Sequence, residues 1–356
     1  IDLNTGVALK TFDYDNKDRL ASITDQFGRV VALERNGDNI PSAIISPNGH
    51  RVNLTIDAEN RLKYVTYPDD SRYEFEYSTD GMLTAKIDPN GNRFTYRYSD
   101  TGRLIEAADE EGGSYVYSKR YYSDGSILTT VTSAEGRVRS YLDNSLSGYR
   151  TQTTDANGSQ TELVDPIGPT ASRRLANGIQ IDSLYSLDPR SKREFLKRVT
   201  EATPGGLIRE TLLDRRYEDQ SSDGAHDLFI NTISINGKPA TIEQDVLKSE
   251  ITTTSPEGRT VVARYNPHIL VTESVHSPGM HPTTFTHDGQ GRPTSQTTHT
   301  RTTEFSYNDE GFLSSVTGPE RLTTSFDHDP MGRITAVLRP DGSSIEYNYD
   351  LTGNMT

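Results

Sequence analysis

The stretch FTYRYSDTGRLIEAADEEG, residues 94–112, contains the pattern that decides the fold. From Phe94 to Tyr98 aromatic and polar residues alternate, which is typical of a β-strand with one apolar and one solvated face. The polar segment 99–102 ends in glycine and predicts a turn. A second short strand follows it, and another turn is expected near Gly112. The stretch therefore predicts a β-hairpin with two turns.

Nearly the same stretch recurs at a constant interval in the N-terminal third of the chain. Equal steps back from Tyr98 define a marker column that contains Tyr77, Ile56, Arg35 and Tyr14. Four residues after each marker lies a residue type that tolerates positive φ: Asp18, Asn39, Asn60, Gly81 and Gly102. Fourteen residues after each marker lies a second such column: Gly28, Gly49, Asp70, Gly91 and Gly112. Two turn columns in register over five copies predict tandem hairpins.

The same register returns near the C-terminus. The marker column continues there, at nearly the same interval, through Tyr265, His287, Tyr307, His328 and Tyr349. Its companion glycines are Gly291, Gly311, Gly332 and Gly353. Between these two parts the spacing is irregular. We therefore predict regular repeats over 1–112 and 255–356, joined by an irregular β-repeat region, 113–254, of the same architecture. The structural positions of the repeat are predicted to be Tyr14, Ile56, Tyr77, Tyr98, Tyr307, His328, Tyr349 and the glycines Gly81, Gly102, Gly291, Gly311, Gly332 and Gly353.

The two strands of each repeat differ in pattern. The incoming strand alternates strictly, as in Phe75 and Tyr77 around the polar Glu76. The outgoing strand has two apolar columns three residues apart, such as Leu62 and Val65, which breaks the strand period and suggests a β-bulge or a strong twist. Because an isolated hairpin is marginally stable in water, successive hairpins are expected to form one continuous antiparallel sheet. We predict an all-β fold.

One segment is ambiguous between helix and strand. Residues 188–201, DPRSKREFLKRVTE, are the single plausible helix of the sequence. The same residues also fit a strand that leads into the turn TPGG at 203–206. We favour the strand.

The composition suits a thin sheet and excludes several classes of protein. Hydrophobic residues make up 32% and mean hydropathy is -0.69, which is lean for a thick core, whereas 19 Tyr and 10 Phe argue against disorder. A net charge of -14 disfavours nucleic acid or an anionic membrane as partner. The absence of cysteine excludes disulfides, a thiolate nucleophile and Cys-type zinc sites.

Neither a membrane segment nor a targeting signal is recognised in the sequence. No apolar run approaches the roughly 18 residues that a membrane helix needs, so we predict no membrane insertion in this segment. The chain opens on Ile1 and closes on LTGNMT, within a repeat, and we expect it to be an excerpt from a longer protein.

No catalytic, cofactor-binding or metal-binding residue is predicted. Five histidines lie close together in the sequence: His268, His276, His281, His287 and His299. Their spacing matches no metal-binding motif, and His287 and His328 lie in the marker column, which favours a role as flat rings within the repeat. The segment DYDNKD, 13–18, resembles the start of a calcium loop but lacks its central glycine and its final glutamate. We expect no cofactor and no enzymatic activity.

Arginine recurs directly after the first turn of the repeat. The positions concerned are Arg19, Arg61, Arg103, Arg292 and Arg333. One interpretation is a ligand site, for a sulfated glycan for example. The favoured interpretation is pairing with carboxylates across adjacent hairpins, at about 0–1 kcal/mol for each surface pair.

The repeat resembles the YD repeat of the bacterial Rhs (rearrangement hotspot) family. The motifs that carry the resemblance are YSDTGRL at 98–104, YDNKDRL at 14–20, YSTDGML at 77–83, YNDEGFL at 307–313, HDPMGRI at 328–334 and YDLTGNM at 349–355. The resemblance implies a β-sheet that spirals into a hollow shell, or part of one. Similar shells enclose a C-terminal toxin domain in Rhs polymorphic toxins and in the C component of insecticidal toxin complexes, and related shells form part of teneurin adhesion receptors.

The resemblance implies a non-enzymatic scaffold that encapsulates a separate protein cargo. The expected cargo is a C-terminal toxin domain, and the expected location is secreted or at the surface of a bacterial cell. The alternative is an extracellular adhesion or carbohydrate-binding module with a cell-surface glycan as partner, because exposed tyrosines and polar turns are common in such contacts.

Overall fold

The computed structural model describes residues 2–144, 149–165, 168–221 and 227–356, and these contain 31 β-strands and no helix. In chain order the strands are β1 Lys10–Tyr14, β2 Leu20–Asp25, β3 Val30–Arg35, β4 Pro41–Ile45, β5 Arg51–Ile56, β6 Leu62–Thr66, β7 Arg72–Tyr77, β8 Leu83–Ile87, β9 Arg93–Tyr98, β10 Leu104–Asp109, β11 Ser114–Tyr121, β12 Ile127–Ser133, β13 Val138–Asn144, β14 Tyr149–Thr154, β15 Gln160–Asp165, β16 Thr170–Arg174, β17 Gln180–Leu187, β18 Glu194–Ala202, β19 Ile208–Glu218, β20 Leu228–Ile235, β21 Lys238–Asp245, β22 Glu250–Thr254, β23 Thr260–Tyr265, β24 Thr272–His276, β25 Thr283–His287, β26 Pro293–Thr298, β27 Arg301–Tyr307, β28 Leu313–Thr317, β29 Thr323–His328, β30 Ile334–Leu338 and β31 Ser344–Glu346. The predicted all-β fold is confirmed, and the ambiguous segment 188–201 contains a strand, β18.

The strands are connected as a meander. The pairings that the structure describes are antiparallel and join strands that are neighbours in the sequence, within a sheet of 31 described strands. The chain divides into two compact units. The first contains Ile1–Arg93 and Val262–Thr356, and the second contains Phe94–Val261. These boundaries differ from those of the three regions predicted from repeat regularity. The division into those three regions stays a prediction.

A β-bulge interrupts the outgoing strand of each regular repeat. In the hairpin of β7 and β8, Tyr77 is opposite Leu83 whereas Glu76 is opposite Ala85, so that Thr84 has no partner of its own. The same register shift occurs in the hairpins β1–β2, β5–β6, β9–β10, β27–β28 and β29–β30. Because the bulge adds one residue to the strand, the side chains beyond it alternate between the two faces in the opposite order. It explains why the two apolar columns of this strand lie three residues apart.

Most turns of the regular repeats share one backbone geometry, from which the two-residue turn between β26 and β27 and the longer turn at 266–271 differ. In the turn at 78–82, the N–H of Ser78 donates to the carbonyl of Met82, and the N–H of Gly81 donates to the carbonyl of Ser78. The turn at 88–92 repeats these two bonds. The fourth residue of such turns has positive φ, 81° at Gly81 for example, and an L-residue there is strained. The two turn columns of the sequence are the consequence of this geometry.

The sheet is thin, and its two faces share little buried core. The chain exposes 22358 Å² of accessible surface, whereas a compact monomer of 39.6 kDa exposes about 14,000 Å². Among the described residues, the buried apolar side chains are Ala43, Ala85, Phe229, Ile230 and Tyr265. Stability must therefore come from contacts along the sheet, between one repeat and the next.

The conformational role of the turn residue is testable at Gly81. A methyl group added to Gly81 would contact no atom within 4 Å, so that strain at φ 81° is the main effect of alanine. We expect Gly81→Ala to lower the free energy of unfolding by about 1–2 kcal/mol, measured by urea denaturation. Gly37 lies in a turn of the same type without positive φ and in equally open space, so Gly37→Ala is the control and should be neutral or slightly stabilising. Equal losses for both variants would contradict the prediction.

Candidate functional site

In four regular repeats the first turn is closed by a carboxylate and an arginine. Asp57 Oδ1 accepts hydrogen bonds from the N–H groups of Glu59 and Arg61 at 3.0 and 2.8 Å, and Asp57 Oδ2 accepts one from Arg61 Nε at 2.8 Å. The same three bonds occur in the turns Asp15–Arg19, Asp288–Arg292 and Asp329–Arg333. The aspartate thus satisfies the turn backbone and also orients the arginine side chain.

The oriented arginine contacts the tyrosine of the next repeat. The guanidinium carbon of Arg61 lies 5.0 Å from the centroid of the Tyr77 ring, and Nη1 of Arg61 donates to the carbonyl of Ser78 at 3.1 Å. In return, the Tyr77 hydroxyl donates to the carbonyl of Leu62 at 2.8 Å. We call this arrangement of Asp57, Arg61 and Tyr77 the Asp–Arg–Tyr link. It joins this repeat to its successor by a cation–π contact and hydrogen bonds.

The link recurs in the C-terminal repeats. Arg292 lies 4.3 Å from the ring centroid of Tyr307, whose hydroxyl donates to the carbonyl of Pro293 at 2.9 Å. Arg333 and Tyr349 are related in the same way, at 5.1 Å, and the Tyr349 hydroxyl donates to the carbonyl of Ile334 at 2.9 Å. A cation–π contact contributes about 0.5–1 kcal/mol and a hydrogen bond about 1 kcal/mol, so that many weak links are needed.

The recurring arginines therefore have structural partners. Arg61 and Asp57 side chains are only 26% and 16% exposed. The predicted carboxylate partner across adjacent hairpins was wrong for Arg19, Arg61, Arg292 and Arg333, since each of them pairs with the aspartate of its own turn. The next hairpin contributes a tyrosine ring to Arg61, Arg292 and Arg333. Arg103 has Ser99 at the aspartate position and lies 5.6 Å from the ring centroid of Tyr121. A guanidinium that is already bonded and largely covered is a poor receptor for a sulfated ligand.

Other marker positions have different surroundings. Tyr14, which follows no described repeat, is 60% exposed. Ile56 and Tyr98 are half-buried. The ring of His328 stacks on that of Phe312 with centroids 5.2 Å apart, as expected for a flat ring in the repeat. The predicted glycines all have positive φ: Gly81, Gly102, Gly291, Gly311, Gly332 and Gly353.

Within the first unit, turns of the N-terminal repeats contact turns of the C-terminal repeats. The Gln26 side chain donates to the carbonyl of Ile269 at 2.8 Å. Asp69 accepts a bond from Arg333 Nη2 at 3.2 Å, and the amide of Asn90 donates to Asp350 at 3.0 Å. We call this line of contacts the seam. The N-terminal turns and the C-terminal turns recur with nearly the same period. Successive N-terminal turns therefore contact successive C-terminal turns.

Two glycines allow the seam to pack closely. A Cβ atom at Gly291 would lie 2.3 Å from Cε1 of Phe27, and one at Gly311 would lie 2.5 Å from Nδ2 of Asn48. Next to them the rings of His50 and Phe312 lie 5.3 Å apart. The N-terminal turn side chains therefore occupy the space that a larger residue would fill.

The second unit contains a buried polar cluster centred on Asp188. This residue is 2% exposed, and its carboxylate accepts hydrogen bonds from the N–H and hydroxyl of Ser191, from Arg215 Nη1 at 3.0 Å and from the Tyr217 hydroxyl at 2.5 Å. Burial raises the pKa of Asp188, but these bonds, that of Tyr217 first, lower it by more, to well below its ordinary value. Burial and the bond to Asp188 raise the pKa of Tyr217 to about 12.

The Asp188 cluster has the character of a structural network. The carboxylate accepts several bonds, and Arg215 also lies 4.5 Å from the ring centroid of Phe195, so the group is satisfied and held in place. The sequence pattern did not predict this cluster, because its members come from the turn after β17 and from β19. The local signal is limited to the Asp-Pro-Arg-Ser turn at 188–191.

A family model described as the teneurin YD-shell matches residues 1–356. The chain belongs to the teneurin YD-shell family. The match confirms the resemblance that the YSDTGRL-type motifs indicated. No curated protein matches the chain. The family and the fold are those of a structural shell scaffold.

Two solved chains that were matched in structure are longer than this YD-shell chain. A chain in the crystal structure of TcdB2-TccC3-Cdc42 is 12% identical with a TM-score of 0.50, over 97% of this chain and 24% of that chain. A chain of the Photorhabdus luminescens Tc holotoxin pore is 13% identical with a TM-score of 0.41, over 96% of this chain and 22% of that chain. At such identities the first comparison shows the fold alone. The YD-shell chain spans less than a quarter of the length of these two solved chains.

The clustered histidines of the YD-shell sequence do not form a described metal site. His281 and His299 stack with centroids 4.3 Å apart. In the described parts of the chain, no group of three His, Cys, Asp or Glu side chains is placed to hold a metal ion. The same parts contain no helix that is long and apolar enough to cross a membrane.

The hydrogen bond of the link can be tested at Tyr77. We expect Tyr77→Phe to lower the free energy of unfolding by about 0.5–1.5 kcal/mol, because the carbonyl of Leu62 loses its donor. Chemical denaturation of the purified chain measures this change. Tyr14→Phe is the matched control, since the structure describes no hydrogen bond of the Tyr14 hydroxyl, and it should leave stability unchanged. Equal free energies of unfolding for the two variants would show that the hydrogen bond of the link does not contribute to stability.

The aspartates that close these first turns predict loss of stability in acid. The backbone N–H and guanidinium of Arg61 lower the pKa of Asp57, and the guanidinium of Arg19 lowers the pKa of Asp15. Burial raises the pKa of Asp329, but its bonds from Arg333 lower it by more. A lowered pKa means that the stabilisation is complete above the ordinary value near 3.8 and is lost as pH falls through the folded-state value. Unfolding midpoints should therefore be flat from pH 7 to about 5 and fall below pH 4.

Two variants assign this acid effect to the turn aspartates. Asp57→Asn should lower the midpoint at pH 7 and reduce its dependence on pH below 4. Asp80→Asn is the control, since the structure describes no hydrogen bond to the Asp80 carboxylate, and its pH dependence should equal that of the unmodified chain. A midpoint that does not change down to pH 3 would disprove the assignment.

Proposed function

We propose that this YD-shell chain is part of an extracellular scaffold that encloses a separate polypeptide cargo. In this proposal the thin sheet spirals into a hollow shell, or part of one, and the chain itself catalyses no reaction. The single observation that carries the proposal is the family match over residues 1–356. The large accessible surface, 22358 Å², supports it, because a wall that separates two solvated spaces must expose both faces.

The physical character of the wall supports a cargo held by weak contacts. A net charge of -14 favours a cationic or partly unfolded polypeptide, which would be attracted without a specific binding site. The YD motifs are similar to those of Rhs toxins, and a toxin domain is therefore the cargo that we propose. We propose that the protein is secreted or lies at the surface of a bacterial cell, where a toxin domain requires protection. No feature of the described residues favours the glycan-binding alternative, and we do not propose it.

The seam provides a test of enclosure. In the complete protein that contains this chain, the cargo should resist a protease under conditions that cleave the same polypeptide when isolated. Gly291→Ala should increase the rate of cargo cleavage, because the added methyl group collides with Phe27 and loosens the seam. Gly81→Ala is the matched control: it places alanine at a similar positive φ in open space and should leave protection intact.

The outcomes separate enclosure from simple stability. Cleavage of the cargo in the unmodified protein at the rate of the isolated polypeptide would overturn the proposal. Equal acceleration by both glycine variants would show that protection reports stability of the repeat and not closure of the seam.

A further inference from the structure

The second unit has a slot between two tyrosines on one face of its first strands. Tyr96 of β9 is opposite Ala107 of β10, and Ala107 is opposite Tyr115 of β11. Residues directly opposite in an antiparallel sheet point to the same face, and adjacent strands lie about 4.8 Å apart. The two tyrosines are therefore separated by roughly 9.5 Å with only a methyl group between them. We call this the tyrosine slot, and a cavity of about 300 Å³ lies there.

The small residue at the base of the slot distinguishes this repeat from several others. In the outgoing strands of four other regular repeats the position equivalent to Ala107 is branched: Ile23, Val65, Val316 and Val337. A branched side chain at this position is bulkier than the methyl group of Ala107. Ala107 leaves room for a planar group, which needs about 7–8 Å between two rings at ordinary carbon contact distances.

The charge around the slot is negative. Asp109 and Glu135 line it together with Phe94, and no Lys or Arg is among its described lining residues. Asp109 Oδ1 accepts the N–H of Gly113 at 2.8 Å, and Glu135 Oε2 accepts the hydroxyl of Ser133 at 3.0 Å. Neither carboxylate takes part in an ion pair that the structure describes. The slot thus combines π faces with carboxylates that have no described basic partner.

We propose that the tyrosine slot binds the guanidinium group of an arginine side chain in a cationic peptide segment. A guanidinium is planar, stacks on aromatic rings and pairs with carboxylates, whereas an ammonium group does not match the flat shape of the slot. Tyr115 is 54% exposed, so its ring is accessible to such a side chain. The inference does not depend on what the protein encloses, since a peptide could reach the slot in the isolated chain.

Titration with a capped tripeptide Gly-Arg-Gly tests the ligand class. We expect saturable binding by calorimetry or by NMR of the tyrosine rings, at least tenfold weaker for the lysine peptide and for the citrulline peptide, which has the same shape without charge. Binding should weaken as salt is added. Equal binding of the citrulline peptide, or stronger binding of a neutral sugar, would overturn the proposed class of ligand.

Substitutions then locate the binding site. Ala107→Val places in the slot a residue that other repeats carry there and should weaken arginine-peptide binding at least tenfold, as should Asp109→Asn at the rim. Tyr115→Leu should do the same, whereas Tyr121→Leu, on the same strand and 57% exposed, is the control and should bind normally. Circular dichroism verifies that each variant is folded. Unchanged binding by folded Ala107→Val and Asp109→Asn would refute the slot and indicate attraction by net charge alone.

Discussion

Where the Asp–Arg–Tyr link is present in this YD-shell chain, successive repeats depend on the contact between an arginine and the tyrosine of the next repeat. An isolated hairpin of two short strands is marginal in water, and the sheet has almost no core of its own to compensate. Asp57 holds Arg61 in the turn, Arg61 covers Tyr77, and Tyr77 returns a hydrogen bond to Leu62. A repeat with this link therefore provides the surface on which its successor packs.

The same turns serve a second purpose where distant repeats meet. In the first unit the second turns of the N-terminal repeats contact the first turns of the C-terminal repeats along the seam. Gly291 has to have positive φ for its own turn and has to lack a side chain for Phe27 to approach. One residue thus satisfies a local and a long-range requirement, and a scaffold built in this way can extend without a thick core.

Two local features of the chain lie where the sequence departs from the repeat. The Asp188 cluster lies among longer strands of the second unit, where the register of the motif is irregular. The tyrosine slot arises where Ala107 stands between two tyrosines at a position that is often branched. Neither interrupts the strand order. At the slot the backbone pairing is preserved and only a side chain differs, whereas the Asp188 cluster also has a longer turn, in which the N–H of Asp188 donates to the carbonyl of Arg193. A regular scaffold can therefore acquire a local feature such as the slot by a single substitution.

The sequence by itself determined the hairpin repeat, its turn columns, the incoming strand pattern and the family, because these depend on contacts within one repeat and with the next. The bulge could be suspected from the spacing of Leu62 and Val65, but only strand pairing located it at Lys63. The seam and the Asp188 cluster required the tertiary structure. Asn90 and Asp350 are 260 residues apart, and no local pattern states which turn meets which. Long-range partners depend on the accumulated twist and bend of many strands, a quantity that no short stretch of sequence encodes.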